Sequence, residues 1–241
     1  QVFRLTSDIT LLELSDLNRP LLRRMQLEAP GTYHHSMVVG SLAEAATEAI
    51  GANSLLARVQ AYYHDIGKLA KPEYYAENEP ASSRSRHEKL TPSMSALVVK
   101  SHISEGLELA GKQRLPRAVR DAIPEHHGSM VMAFFYHKAL ETDPTARRED
   151  YSYPGPRPHS KETAILMLAD GVEGASRALA EPTPSRIRGL VQRIIEERVR
   201  DGQLDECNLT IQELARIRES FIPVLTAIFH VRTPYPAAPK P

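Results

Sequence analysis

Seven residues have side chains that could do chemistry together: His35, His64, Asp65, His102, His126, His127 and Asp170. Neutral imidazoles offer ligand nitrogens, and the two carboxylates bring negative charge that bound cations would neutralise. Asp65 poses the question most sharply. It sits beside His64 in the apolar stretch "AYYHDIGKL", where a buried carboxylate is costly unless something positive holds it. A set of nitrogen and oxygen donors without thiols suits five- or six-coordinate Mn or Fe better than a structural Zn site. Seven ligands exceed what one such ion with open positions accepts. They fit two divalent transition metal ions with one carboxylate between them, and Asp65 is placed to bridge. Taken singly, each residue has an ordinary explanation: an inward histidine usually bonds a carbonyl, and an aspartate in an apolar helix pairs with an arginine. Their joint occurrence makes the case.

The elements that must position these groups are helical almost throughout, because strand-like alternation is scarce. A first helix is expected through Ile9–Leu14 and a second after Pro20, with "APGT" at 29–32 as a break. On a helix over 34–50, His35 lies three, four and seven residues before Val38, Val39 and Leu42, so it shares their buried face. His34 is turned about 100° away. Asn53 and Ser54 open the next helix, which Gly67 helps to end. On that helix His64 and Asp65 project about 100° apart, so the pair can serve different partners. Residues 70–90 read as polar loop. Thr91 and Pro92 start a helix on which His102 follows Val98 and Met94 at helical spacing and therefore faces the core. A shorter helix covers 117–127, bent by Pro124 and ending in His126 and His127; Gly128 and a helix through Phe134 and Phe135 follow. The Pro-rich stretch 142–160 is long for a connection, so it is either a ligand lid or a surface excursion. Ser160 caps a buried helix bearing Asp170. Two more helices follow "EPTPS", the last opened by a Thr210–Glu213 capping box. The fold class is all-α, a helical bundle in a single domain.

Composition removes several alternatives. Thirty Lys and Arg balance thirty Asp and Glu, a net charge of zero that argues against DNA or RNA polymers as partners and leaves room for a small anionic ligand. One cysteine, Cys207, excludes an internal disulfide and suits a reducing compartment. No apolar run nears the roughly 20 residues of a membrane-spanning helix, and no signal peptide is legible. The first residue is Gln1 rather than Met, so the expectation is a piece of something longer.

The ordered set His35, His64–Asp65, His102, His126–His127, Asp170 resembles the HD-domain metal-dependent phosphohydrolases, in the form with extra histidines for a second metal. The stretches "PGTYHHSM", "YYHDIGKL", "LTPSMSALVVKSH", "EHHG" and "YPGPRPHSKETAILMLADGVEGASR" are similar to the seven-transmembrane HD branch, the PgpH-type cyclic di-AMP phosphodiesterases. The likeness runs from about residue 15 to 236. The Gly-Tyr-Pro signature of HD-GYP enzymes is absent after the double histidine, where "HHGSMVMAFFYH" stands.

That resemblance implies a cytoplasmic domain over residues 1–236, with 1–28 leading in from a membrane region and 237–241 as a tail. It implies hydrolysis of cyclic di-AMP to linear pApA by a hydroxide held between two metals. One metal takes His35, His64, Asp65 and Asp170; the other shares Asp65 and takes His102, His126 and His127. Lys68 is expected to offset phosphate charge, His87 to contact phosphate or protonate the leaving oxygen, and Tyr75 and Asn78 to meet an adenine. His34, His137, His159 and His230 are read as structural. The competing readings are another nucleotide phosphohydrolase of the superfamily, which would need only the first metal set, and a non-catalytic sensor, which would have lost ligands. A homodimer is left open.

Overall fold

The structure, a computed structural model, describes residues 6–79 and 85–229; the expected tail and His230 lie outside the described residues. Among these, eleven α-helices account for the architecture and no β-strand forms; a lone antiparallel bridge joins Val131 and Ser152. The helices are α1 (Asp8–Leu14), α2 (Pro20–Glu28), α3 (Pro30–Ile50), α4 (Ser54–Tyr63), α5 (Pro92–Lys112), α6 (Arg117–Arg120), α7 (Ala122–Glu125), α8 (Ala133–Leu140), α9 (Lys161–Ser176), α10 (Pro184–Arg200) and α11 (Ile211–Ile228).

Local chemistry sets most of the boundaries. Asn53 and Thr91 accept from Leu56 N and Met94 N, and so begin α4 and α5. Ser160 with Thr163, and Thr210 with Glu213, form reciprocal capping boxes that begin α9 and α11. Burial then assembles two cores. One joins α3 (Val39, Leu42, Ala46), α9 (Ile165–Val172), α10 and α11 around Phe221. The other joins α1, α2, α4 and α5 around Leu22, Met25, Tyr63 and Ile103. Helices α3, α4, α5, α7 and α9 carry the site along the seam between these cores.

Four local expectations need correction. Pro30 and Gly31 do not break the chain. They form the first turn of α3, with Pro30 at the first helical position, where its missing N–H costs nothing. Helix α4 ends at Tyr63, so His64 and Asp65 lie at and just beyond its C-terminus, followed by a 3-10 turn over Ile66–Ala70. Gly67 therefore has a different task from ending a helix. A Cβ there would come within 1.8 Å of the His102 carbonyl oxygen, so only glycine allows the turn to pack against α5. On α5 the apolar phase differs from the one expected: Met94 and Leu97 are more than half exposed, whereas Ala96, Ile103 and Ala110 are buried. His102 is buried with that second stripe. Finally, residues 117–127 make two short helices, with Pro124 inside α7, rather than one bent helix.

Candidate metal centre

The seven inward groups enter the centre from five different elements. His35 projects from α3, His64 and Asp65 from the end of α4, and His102 from α5. His126 and His127 follow the C-terminus of α7, and Asp170 comes from α9. His35 is buried while its neighbour His34 is exposed, as helix phase predicts.

Asp65 lies at the middle. Its Oδ2 is 3.2 Å from His64 Nε2, 3.7 Å from His35 Nε2 and 2.7 Å from Lys68 Nζ. Its Oδ1 faces the other way, 3.6 Å from His102 Nε2 and 3.7 Å from His126 Nε2. Asp170 Oδ1 is 3.0 Å from His35 Nε2, and Asp170 Oδ2 is 3.8 Å from His127 Nδ1. The donor atoms fall into triads small enough to enclose a cation: His35, His64 and Asp170; His102, His126 and His127; and, across the seam, His64, Asp65 and His126.

The far side of each ring explains its orientation. Nδ1 of His64, His102 and His126 meets the carbonyl oxygens of Ala61, Val99 and Ala122 at 2.7, 2.6 and 3.1 Å. His35 Nδ1 meets Glu173 Oε2 at 2.5 Å. Where Nδ1 donates outward, the lone pair on Nε2 is left pointing into the centre, the arrangement of metal-bound histidines. Consistent with that, Nε2 of His35, His64, His102 and His126, Nδ1 of His127 and Oδ1 of Asp65 are buried with no hydrogen-bond partner. An unpaired buried polar atom costs roughly 1–3 kcal/mol, so six aimed at one place fit cation binding and fit nothing apolar. The donors are nitrogen and oxygen only. Cys207 lies elsewhere, donating to the Leu204 carbonyl and packing beside the α3–α9 core.

Electrostatics divide the cluster. Burial alone would neutralise Asp65, but the Lys68 ammonium and then His64 hold its carboxyl well below the usual range. Lys68 is pushed well above its ordinary value against the cost of burial, by Asp65 and Glu77 together. Burial and the neighbouring His64 push His126 down to about 3, and burial and His126 push His127 well below 6.5. These imidazoles are neutral and ready to bind. His35 is the exception: burial opposes its charge, yet the close carboxylates of Asp170 and Glu173 raise it to about 9.

The other predicted residues take clearly different places. Lys68 is clamped by Asp65 and by Glu77 Oε1 at 2.8 Å, and also lines a cleft of about 480 Å³ beside His35, Asp170 and Arg177. Removing it as Lys68→Met leaves two buried carboxylates facing each other. The metal-free protein should lose about 3–5 kcal/mol in a denaturant titration, the range for breaking a buried pair. Tyr75 is 6 % exposed, its ring between Lys68 and His102, and it presents no open face for stacking on a base. Asn78 spends its amide on Thr32 N, Thr32 Oγ1 and the Pro72 carbonyl, so it ties the 76–78 turn to α3. His87 packs on Tyr74 and Phe135 with Nε2 2.8 Å from the Tyr74 carbonyl, outside the cluster.

Three residues that the sequence reading missed complete the surroundings. Glu173 links His35 to Arg177, whose Nε and Nη2 lie 2.8 and 2.7 Å from Oε1. Its signal was spacing: it stands three residues after Asp170, on the same helix face. Glu125 is buried and accepts from His159 N, His159 Nδ1 and Thr163 Oγ1, tying α7 to the start of α9. Tyr153, from the Pro-rich stretch, lies against His127. That stretch is pinned by the Val131–Ser152 bridge and by a bond from Lys100 Nζ to the Asp150 carbonyl.

The chain is similar to proteins already known. The HD domain model matches residues 32–175, a span that contains all seven inward residues. The chain is 46 % identical over 238 residues to the cyclic-di-AMP phosphodiesterase PgpH of Bacillus subtilis (strain 168), covering 99 % of this chain and 33 % of that protein. It is 44 % identical to the PgpH of Listeria monocytogenes serotype 1/2a (strain 10403S), covering 98 % of this chain and again 33 % of the relative. The chain thus spans about one third of the length of these relatives. Among solved structures, the L. monocytogenes PgpH HD domain in complex with cyclic-di-AMP superposes with a TM-score of 0.84 at 44 % identity, covering 90 % of this chain and 100 % of that one. Helical architecture, the family match over residues 32–175 and identity over the whole solved domain converge: this chain belongs to the HD domain family, in the branch of the PgpH HD domains.

Proposed function

We propose that the chain is a phosphodiesterase that hydrolyses cyclic di-AMP to the linear dinucleotide pApA, using two divalent transition metal ions, Mn or Fe. The observation that carries the reading is Asp65, whose two oxygens face two separate sets of unpartnered imidazole nitrogens. One ion would take His35, His64, Asp65 and Asp170; the other would share Asp65 and take His102, His126 and His127. Such ions, when bound, supply Lewis-acid polarisation of phosphoryl oxygens and acidify water near neutral pH.

The chain's own residues do the rest. Four outward hydrogen bonds, three to carbonyls and one to Glu173, fix the rings before anything binds, so little reorganisation is left to the reaction. Lys68 holds the Asp65 carboxylate in place and turns its own charge toward the cleft that an anionic phosphate would enter. We assign Tyr75 and Asn78 to the layer behind the cleft residues Lys68 and Glu77, where they support Lys68 and the 76–78 turn. His87 is kept as the group that would contact phosphate or protonate the leaving oxygen. The chain spans one third of the length of the PgpH relatives, and we read it as the cytoplasmic domain of an integral membrane protein; among the described residues no helix is long and apolar enough to cross a membrane.

The test is incubation of the Mn-loaded protein with cyclic di-AMP and cyclic di-GMP side by side, with products separated and identified. Selective conversion of cyclic di-AMP to pApA is expected. Turnover of neither compound, with hydrolysis of nucleoside triphosphates instead, would move the chain to the nucleotidase reading.

Metal uptake should also move a proton. His35 carries one at pH 7.5, because that pH lies below its raised value of about 9, and a ligand nitrogen must give it up. Calorimetric titration with Mn in buffers of different ionisation enthalpy should show about one proton released per chain at pH 7.5. The release should fade as the pH rises through 9, and His35→Ala should abolish it.

A further inference from the structure

Four of the five inward imidazoles are held from behind by a carbonyl or a carboxylate. His127 is not. Its inward atom is Nδ1 rather than Nε2, and among the described residues none hydrogen-bonds its other nitrogen. What lies against it instead is the Tyr153 ring, stacked nearly flat with centroids 4.0 Å apart and planes 20° from parallel. The same tyrosine meets His102, a second member of the same triad, edge-on at 6.3 Å.

Tyr153 is itself firmly placed. Its N–H donates to the Met130 carbonyl at 2.9 Å, Met132 N donates to the Tyr151 carbonyl at 2.8 Å, and Ser152 bridges Val131. A short antiparallel pairing therefore locks residues 151–153 against residues 130–132, just past the turn at Gly128 (φ 50°) that follows His127. The chain thus brings a rigid aromatic plane to the one histidine that lacks a polar anchor. A ring stacked on one face cannot rotate about its Cβ–Cγ bond without losing that contact, so stacking fixes the ring plane as an outward hydrogen bond does for the others.

We propose that Tyr153 is a positioning residue for metal binding, and that its ring, not its hydroxyl, orients His127 as a ligand of the His102–His126–His127 triad. This rests on the two-ion reading above. Loss of an orienting partner of this kind typically weakens metal affinity about 10–100-fold.

The experiment is Mn titration of the whole chain by calorimetry, with bound metal counted by elemental analysis, for the parent and for Tyr153→Phe, Tyr153→Ala and Tyr153→Leu. The parent should bind two equivalents. Tyr153→Ala should weaken one of them about 10–100-fold and leave the other unchanged, whereas Tyr153→Phe should keep both. Tyr153→Leu covers the case in which alanine fails to fold: it fills the space without a flat face and should weaken the same equivalent. A purely structural role would weaken both equivalents together or neither. Parent-like binding in the alanine or leucine variant, or equal loss in the phenylalanine variant, overturns the proposal and spares the two-ion reading. A parent that binds no Mn overturns both.

Discussion

Asp65→Asn should strip the protein of bound metal and lower cyclic di-AMP turnover by at least about a thousandfold, equivalent to roughly 4 kcal/mol of barrier. The substitution keeps the volume of the side chain and changes two things. It removes the charge that would neutralise the proposed cations on both sides of the seam. It also replaces one acceptor oxygen by an NH2 group, which must point either at the Lys68 ammonium or at the nitrogens of His102 and His126. Neither orientation leaves two usable oxygens. Asparagine is preferable to alanine here, because alanine also deprives the buried Lys68 of its shorter ion pair and so mixes instability with loss of function. Elemental analysis and product formation read the outcome. An asparagine variant with full metal content and near-normal turnover would end the bridging role.

His126→Ala should lower the metal content from two ions per chain to one and reduce turnover by about a hundredfold or more, as removal of a charge-stabilising contact commonly does. His126 is fully buried, its Nε2 is unpartnered, and it faces only the Oδ1 side of Asp65, so the His35–His64–Asp170 triad keeps all its members. Turnover with one ion retained at parent level would mean that the second triad plays no part in the chemistry. It would also favour the nucleotidase reading, which needs a single site. His34→Ala is the control. It removes an exposed imidazole beside a ligand and should leave metal content and turnover unchanged.

The inward set of histidines and aspartates was legible because it depends on residue type and helix phase. On α3, three- and four-residue spacing to Val38, Val39 and Leu42 separates buried His35 from exposed His34. On α9, the apolar run before Asp170 marks a helix inside the core. On α5 the same reasoning reached a buried His102 through the wrong neighbours. Met94 and Leu97 are exposed, and the true buried face runs through small residues whose apolar character is weak in sequence but suits close packing. Gly67 shows the limit of local rules. Glycine after a helix reads as a terminator, yet its role is to admit the His102 carbonyl, a partner 35 residues away in sequence. Tyr75 and Asn78 read as substrate contacts because polar loops carry function; packing places the tyrosine ring between Lys68 and His102 and gives the amide to Thr32.

The sequence by itself determined the all-α class, the caps that start the helices, and which imidazoles and carboxylates turn inward. Those properties follow from a few adjacent turns of chain and from the cost of burying charge without a partner. Only the tertiary structure decided how the inward groups are shared and held. It set the two faces of Asp65, the clamp of Lys68 between two carboxylates, the reach of Glu173 to His35 and the Tyr153 ring on His127. Apart from the contacts of Asp65 with His64 and Lys68, which are local, these join segments separated in sequence at distances of a few ångströms. No spacing rule encodes such a contact, because it is fixed by how whole helices pack and not by the turn in which either residue sits.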